Sequence, residues 1–125
     1  MIAGTLRDDG VPLIMVPVAG RMWPGIIDTG FTGELELPEA LRASLPVRFI
    51  GRMSSFIMAD VQVEENVYLV DFPFDGRVVS AEATFVTGDE ILIGTQLLRS
   101  YWLEINFPER TVRLGRYNEH AIRKG

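Results

Sequence analysis

Apolar residues recur along much of the chain with a period of two. Val61, Val63, Val67 and Leu69 alternate with Gln62, Glu64, Asn66 and Tyr68, and Val79, Ala81, Ala83 and Phe85 alternate with Ser80, Glu82 and Thr84. Tyr101, Leu103, Ile105 and Phe107 do the same against Trp102, Glu104 and Asn106. Each stretch predicts a strand with one covered face. Val11 to Val18 and Met22 to Ile27 are almost wholly apolar. They read as strands covered on both faces, provided Pro24 sits where no ladder donor is needed. Ile91-Leu92-Ile93 is a short buried run ending at Gly94, and Val112 and Leu114 open a last strand. Turn residues punctuate these runs at Asp8-Asp9-Gly10, Ala19-Gly20-Arg21, Pro73-Phe74-Asp75-Gly76 and Asn106 to Arg110. Pro38 to Leu45 predicts a short helix with proline in its first turn, and Thr95 to Ser100 a second helical segment capped by Thr95. The expectation is an all-β barrel or sandwich with one or two short helices.

Length and composition narrow this picture. The 125 residues are 47% hydrophobic, which suits one globular domain with its own core over 1–125. Within it, 1–10 reads as an N-terminal strand region and 115–125 as a basic C-terminal tail. That tail, with Arg113 and Arg116 leading into Arg123 and Lys124, is expected to be a solvated end, since no aromatic stacking pattern accompanies it. No apolar run is long enough to span a membrane, and Met1 to Arg7 lacks the features of a signal peptide. The chain has no cysteine, which removes disulfides, a thiol nucleophile and thiolate metal sites and fits a reducing, cytoplasmic location. A formal net charge of −5 argues against nucleic acid as a partner.

The chemistry concentrates in Ile26-Ile27-Asp28-Thr29-Gly30-Phe31-Thr32-Gly33. Two β-branched residues run straight into a carboxylate, and hydroxyl residues and glycines follow. That order puts an acid at the end of a buried strand, on a turn whose own groups can hydrogen-bond it. An aspartate bonding nearby backbone at a strand end is common, and a tripeptide alone does not exceed that reading. A second apolar-apolar-Gly element downstream, Leu92-Ile93-Gly94, changes the weighting. One acid does little alone, whereas two held side by side can share a proton and act as base and acid on one water. The chain contains one Asp-Thr-Gly, so the second acid must come from elsewhere.

Together these elements resemble the retropepsin-like aspartic proteases (clan AA), the single-domain class that includes the retroviral enzymes and many bacterial relatives, and a bacterial-type member in particular. Gly25 to Gly33 looks like that family's catalytic loop. Ile91-Leu92-Ile93-Gly94-Thr95-Gln96-Leu97-Leu98 looks like its second signature, and Trp102 to Phe107 with Thr111 to Leu114 resembles its closing hairpin. The resemblance covers roughly Leu13 to Leu114 and implies a β-barrel that works as a C2 homodimer. It implies that Asp28 is the catalytic acid, that Thr29 bonds across the dimer to the other loop, and that the Gly30 amide holds the carboxylate. Thr32 sits where the family places a hydroxyl on the outer carboxylate oxygen, and Ile93 and Gly94 would pack under the loop. The second acid is then the partner protomer's Asp28. The implied activity is endopeptidase, the implied partners are a second copy and a peptide or protein substrate, and no cofactor or metal is needed. A bell-shaped rate with an optimum below neutrality follows for such an acid pair, with apolar substrate side chains near Leu35 and Ile93.

One feature departs from the family pattern. The covering hairpin should lie within Ser55 to Tyr68, with its tip near Ala59-Asp60-Val61-Gln62, where relatives often carry glycine in place of Val61. Gly51 to Ser55 is an alternative mobile segment, read first as a surface loop. The departure keeps a second reading open, a catalytically weak or inactive dimerisation or peptide-binding module on the same fold. Elsewhere, His120 is the only histidine, so a Ser-His-Asp triad and a histidine metal site lack support. Glu34 and Glu36 read as a solvated strand face, and Trp23 and Trp102 as core or interface anchors.

Overall fold

The computed structural model describes residues 1–58 and 61–119, with side chains described for all of these except 55–58. Ten strands form one sheet: β1 (Ile2–Leu6), β2 (Pro12–Val18), β3 (Arg21–Ile27), β4 (Leu35–Pro38), β5 (Val47–Met58), β6 (Val61–Phe74), β7 (Arg77–Val86), β8 (Ile91–Ile93), β9 (Tyr101–Asn106) and β10 (Thr111–Arg116). Their order is β5-β6-β7-β4-β8-β3-β2-β1-β10-β9. The sheet curls so that β2 and β10 approach each other and β2 approaches β6. It does not close. The expected barrel is corrected to an open sheet with β5 and β9 at its ends, because neither end strand gains a second partner among the described residues.

Turn chemistry sets the hairpin registers. Ala19 and Gly20 both have positive φ, at 52° and 81°, between the paired residues Val18 and Arg21. Asp75 and Gly76 repeat this, at 54° and 77°, between Phe74 and Arg77. Positive φ at both central residues matches the right-handed twist of the flanking strands. Pro24 pairs with Met15 of β2 but lies one residue short of the β8 pairing, which begins at Gly25. Its missing N–H therefore interrupts no ladder to β8.

Alternating burial follows the expected pattern in β2 and in β7, where Ala81 and Ala83 face the core. Ile14, Leu35, Leu37, Leu41, Phe72 and Ile91 are among the largest fully buried side chains. In β6 the core face is the even one, Val70, Phe72 and Phe74. The apolar alternation from Val61 to Leu69 belongs to the opposite face, since successive side chains of a strand point to opposite sides.

Three further expectations are corrected. Residues 51–55 are not a loop: they lie inside β5, paired with β6, with a register shift between Phe49 and Gly51 and φ of 155° at Gly51. Thr95–Ser100 is not a helix: successive turns close through Leu98 N–H to Thr95 O at 3.1 Å and Tyr101 N–H to Leu98 O at 2.8 Å. The Thr95 hydroxyl donates to the Phe31 carbonyl, where a cap would accept from its own segment. Among the described residues, helix is confined to a 3-10 helix at Glu39–Ser44, within the expected Pro38 to Leu45 but with Pro38 closing β4 ahead of it, and one 3-10 turn at 117–119. Finally, Arg113 and Arg116 are not a solvated tail. They belong to β10, where Arg113 pairs with Glu104 and Arg116 with Asp75. His120, Arg123 and Lys124 lie outside the described residues. No helix among the described residues is long and apolar enough to cross a membrane.

Candidate functional site

The loop from Asp28 to Glu34 owes its shape to a three-strand arrangement. β8 lies between β3 and β4, parallel to the first and antiparallel to the second. Ile93 pairs with Ile27 on one side and Leu35 on the other. The chain leaving β3 must therefore step over the end of β8 to enter β4, a lateral reach of about 10 Å for two interstrand spacings. Seven residues, 28–34, make that step.

Backbone hydrogen bonds clasp the loop from beneath. The Asp28 amide donates to the Ile93 carbonyl at 3.0 Å, and the Gly94 amide to the Glu34 carbonyl at 2.9 Å. Thr95 N–H donates to Phe31 O at 2.9 Å and Gln96 N–H to Gly33 O at 3.1 Å. Gly94 lies so close that an added Cβ would collide with the Gly33 carbonyl and come within 2.8 Å of the Phe31 ring. Gly33 likewise leaves room for that ring, which would stand 2.7 Å from a Cβ there. Ile93 itself is fully buried beneath.

Asp28 sits half-buried at the start of the loop. Its Oδ1 accepts the Gly30 amide at 2.9 Å, and its carbonyl accepts the Phe31 amide at 3.1 Å. The tight turn thus holds one oxygen of the carboxylate. Thr29, Gly30 and Thr32 are exposed, and among the described residues the Gly30 amide is the donor that reaches the carboxylate.

A cleft of about 650 Å³ begins at the loop, lined there by Phe31, Thr32 and Gly33. It continues over β4 and β7 to Met53 of β5 and Glu65 and Val67 of β6. The β5–β6 hairpin stands over it, paired out to Met58 and Val61, with Val61 and Gln62 exposed. Ala59 and Asp60 lie outside the described residues. A separate apolar hollow of about 430 Å³, bounded by Met15, Pro17 and Val78, includes no residue of this loop.

Glu34 and Glu36 are not a solvated face. The Glu34 side chain is 16% exposed, accepts the Glu82 amide at 2.9 Å and pairs with Arg99 at 3.3 Å. It thereby ties the end of the loop to β7. Glu36 points opposite to the core residues Leu35 and Leu37 and lines the cleft. Burial pushes its pKa up, and the negative charges of Glu65 and Asp28 add to the rise. Leu35 and Ile93, expected to meet apolar substrate side chains, are 1% and 0% exposed and belong to the core. Phe31, Glu65 and Arg99 are site residues that sequence reading missed. Arg99 and Glu65 carry no local signal, because the chain brings them to the cleft from segments far from Asp28 in sequence. Among the described residues, no three His, Asp or Glu side chains gather as metal ligands.

No family model matches the chain, and no curated protein matches it. Solved structures do. One is a retropepsin-like aspartic protease from Rickettsia conorii, 16% identical, with a TM-score of 0.64 over 90% of this chain and 88% of that one. Another is the foamy viral protease-reverse transcriptase in complex with an RNA/DNA hybrid, 28% identical, with a TM-score of 0.56 over 75% of this chain. This chain spans 13% of the length of that viral protein. The fold is retropepsin-like.

Proposed function

We propose that the protein is an aspartic endopeptidase acting as a C2 homodimer, in which two Asp28 carboxylates activate one water. The observation that carries the reading is the Asp28 carboxylate itself, held by the Gly30 amide on a loop clasped to β8, whose later residues Phe31, Thr32 and Gly33 line the neighbouring cleft. The likeness of the fold to solved structures that include a retropepsin-like aspartic protease supports the reading. Each protomer supplies one such acid, so a two-fold axis through the loops supplies the pair.

The chemistry then balances without a covalent intermediate. Like charges this close share one proton. The ionised acid takes a proton from water as the water oxygen bonds to the scissile carbonyl carbon. The protonated acid gives its proton to the carbonyl oxygen. As the C–N bond breaks, a proton passes to the leaving nitrogen, another leaves the diol hydroxyl, and the pair again holds one. The substrate binds as an extended strand between the loop and the β5–β6 hairpin.

Peptide hydrolysis followed from acidic to alkaline pH tests the reading. A bell-shaped rate, blocked by a statine-type analogue and indifferent to chelators and serine reagents, is expected. Chelator-sensitive activity, or a rate that climbs steadily into alkaline pH, would reject it. Peptide binding without any cleavage would favour a non-catalytic module instead.

A further inference from the structure

Charge in the cleft is unbalanced in a way the proposed hydrolysis leaves unused. Glu34, Glu36, Glu65 and Glu82 line it, against a single cation, Arg99. Arg99 is committed to Glu34 and to the Gln96 carbonyl. Arg52, the nearest cation on the hairpin in sequence, pairs with Glu64, on the other face of β6 from Glu65. Among the described residues, Glu36 and Glu65 therefore have no cationic partner.

Glu36 is also partly buried, opposite the core face of a central strand, where an unpaired carboxylate is costly. Glu65 and Asp28 are close enough to oppose its ionisation. The same cleft is bounded by Met53 and Val67, which offer apolar surface beside the acids. An aliphatic stem ending in a cation fits that combination, because such side chains bury the stem and leave the charged head to a polar partner. A simple apolar side chain would leave both carboxylates desolvated and unpaired.

We propose that Glu36 and Glu65 select a lysine or arginine side chain of the bound peptide, making this endopeptidase specific for basic residues near the cut. The proposal deepens the endopeptidase reading and rests on it. Glu36 forms the cleft floor and Glu65 the hairpin side, so hairpin position and charge recognition are coupled.

Calorimetry on the full chain carrying Asp28→Asn, which keeps the shape of the site while preventing turnover, tests the selection directly. The probes are peptides identical except for lysine, norleucine or glutamate, scanned through each position. At one position the lysine peptide should bind about tenfold more tightly than the norleucine peptide, as expected of a charge-assisted contact. The advantage should shrink with added salt. It should fall below about threefold when Glu36→Gln or Glu65→Gln is added, since each removes one carboxylate charge at constant shape. Glu65→Gln lies on the hairpin and covers the case in which Glu36→Gln fails to fold. Equal affinity for lysine and norleucine at every position, an advantage that survives both substitutions, or no binding by any peptide would each overturn the proposal. Hydrolysis of the same peptides by the unsubstituted protein reports on catalysis separately. Lysine-selective binding without cleavage would sink the endopeptidase reading and leave the recognition standing.

Discussion

Asp28 and Ile93 are joined by a backbone hydrogen bond of 3.0 Å from the amide of one to the carbonyl of the other. The bond extends the β3–β8 ladder one step past Ile27, the last paired residue of β3. It makes the carboxylate-bearing residue part of a ladder while its side chain stands at the surface. A side chain is placed most reproducibly when a rigid element holds its backbone, and here that element is a strand whose Ile91 and Ile93 are core.

Replacing that carboxylate tests the site most simply. Asp28→Asn should lower peptide hydrolysis by about a thousandfold or more, the scale of losing an acid–base group. Near-ultraviolet circular dichroism should remain unchanged, because the amide keeps the shape and can still accept the Gly30 N–H. Full activity in the variant would place the chemistry elsewhere.

Thr29 follows Asp28 directly and is exposed. In the proposed dimer it bonds the facing loop. Thr29→Ala should weaken self-association in sedimentation and lower activity in the same proportion, with activity partly restored at higher protein concentration. A chain that stays monomeric at tens of micromolar while remaining active would contradict the two-protomer site.

Gly94 has no space for a methyl group against Gly33 and Phe31. Gly94→Ala should cost about 1–3 kcal/mol by overpacking. The obstructing atoms include backbone of the Asp28 loop, so they cannot rotate away as a side chain could. Urea unfolding measures the loss, and activity should fall beyond it as the loop is displaced. An unchanged midpoint would mean that the loop sits higher above β8 than the structure places it.

Glu36 has a raised pKa, chiefly through burial and then through Glu65 and Asp28. The folded state therefore holds this proton more tightly than the unfolded state. The resulting stabilisation is fully present below the ordinary glutamate value and is lost as pH rises through the raised one. Glu36→Gln should consequently have a higher melting temperature than the parent at pH 7. The difference should close on acidification through the upper carboxylate range. A variant that melts lower at pH 7 would show that Glu36 is paired in solution.

Asp75, at positive φ, holds two groups together. Its carboxylate accepts from Tyr101 and Arg116, each at 2.8 Å, and its side chain is 12% exposed. Asp75→Ala should destabilise by about 1–3 kcal/mol, since it leaves the Tyr101 hydroxyl and the Arg116 guanidinium without that acceptor. Thermal unfolding measures this. A loss within error would mean that water replaces the carboxylate without cost.

Much of the strand content was legible because burial writes itself locally. In β2, β3, β7 and β8 apolar residues recur where one face or both are covered, and the Gly-containing turns between them demand positive φ. The acid at the end of β3 was legible for the same reason, as a carboxylate cannot continue a buried run. β5 was not, because Phe49, Ile50 and Met53 stay exposed and no alternating burial marks its described side chains. Nor was the fate of Thr95, whose amide and hydroxyl go to the Phe31 carbonyl 64 residues away rather than to a helix. The alternation in β6 announced a strand but not that its apolar phase, with Val67 lining the cleft, would lie opposite the face on which Val70, Phe72 and Phe74 fill the core. Glu36 read as a solvent residue until β7 and β8 closed on both sides of β4. A sequence records which side chains avoid water and which turns the backbone can make. Which strands become neighbours, and so which carboxylates face one another without a cation, depends on pairings between distant residues that only the assembled sheet decides.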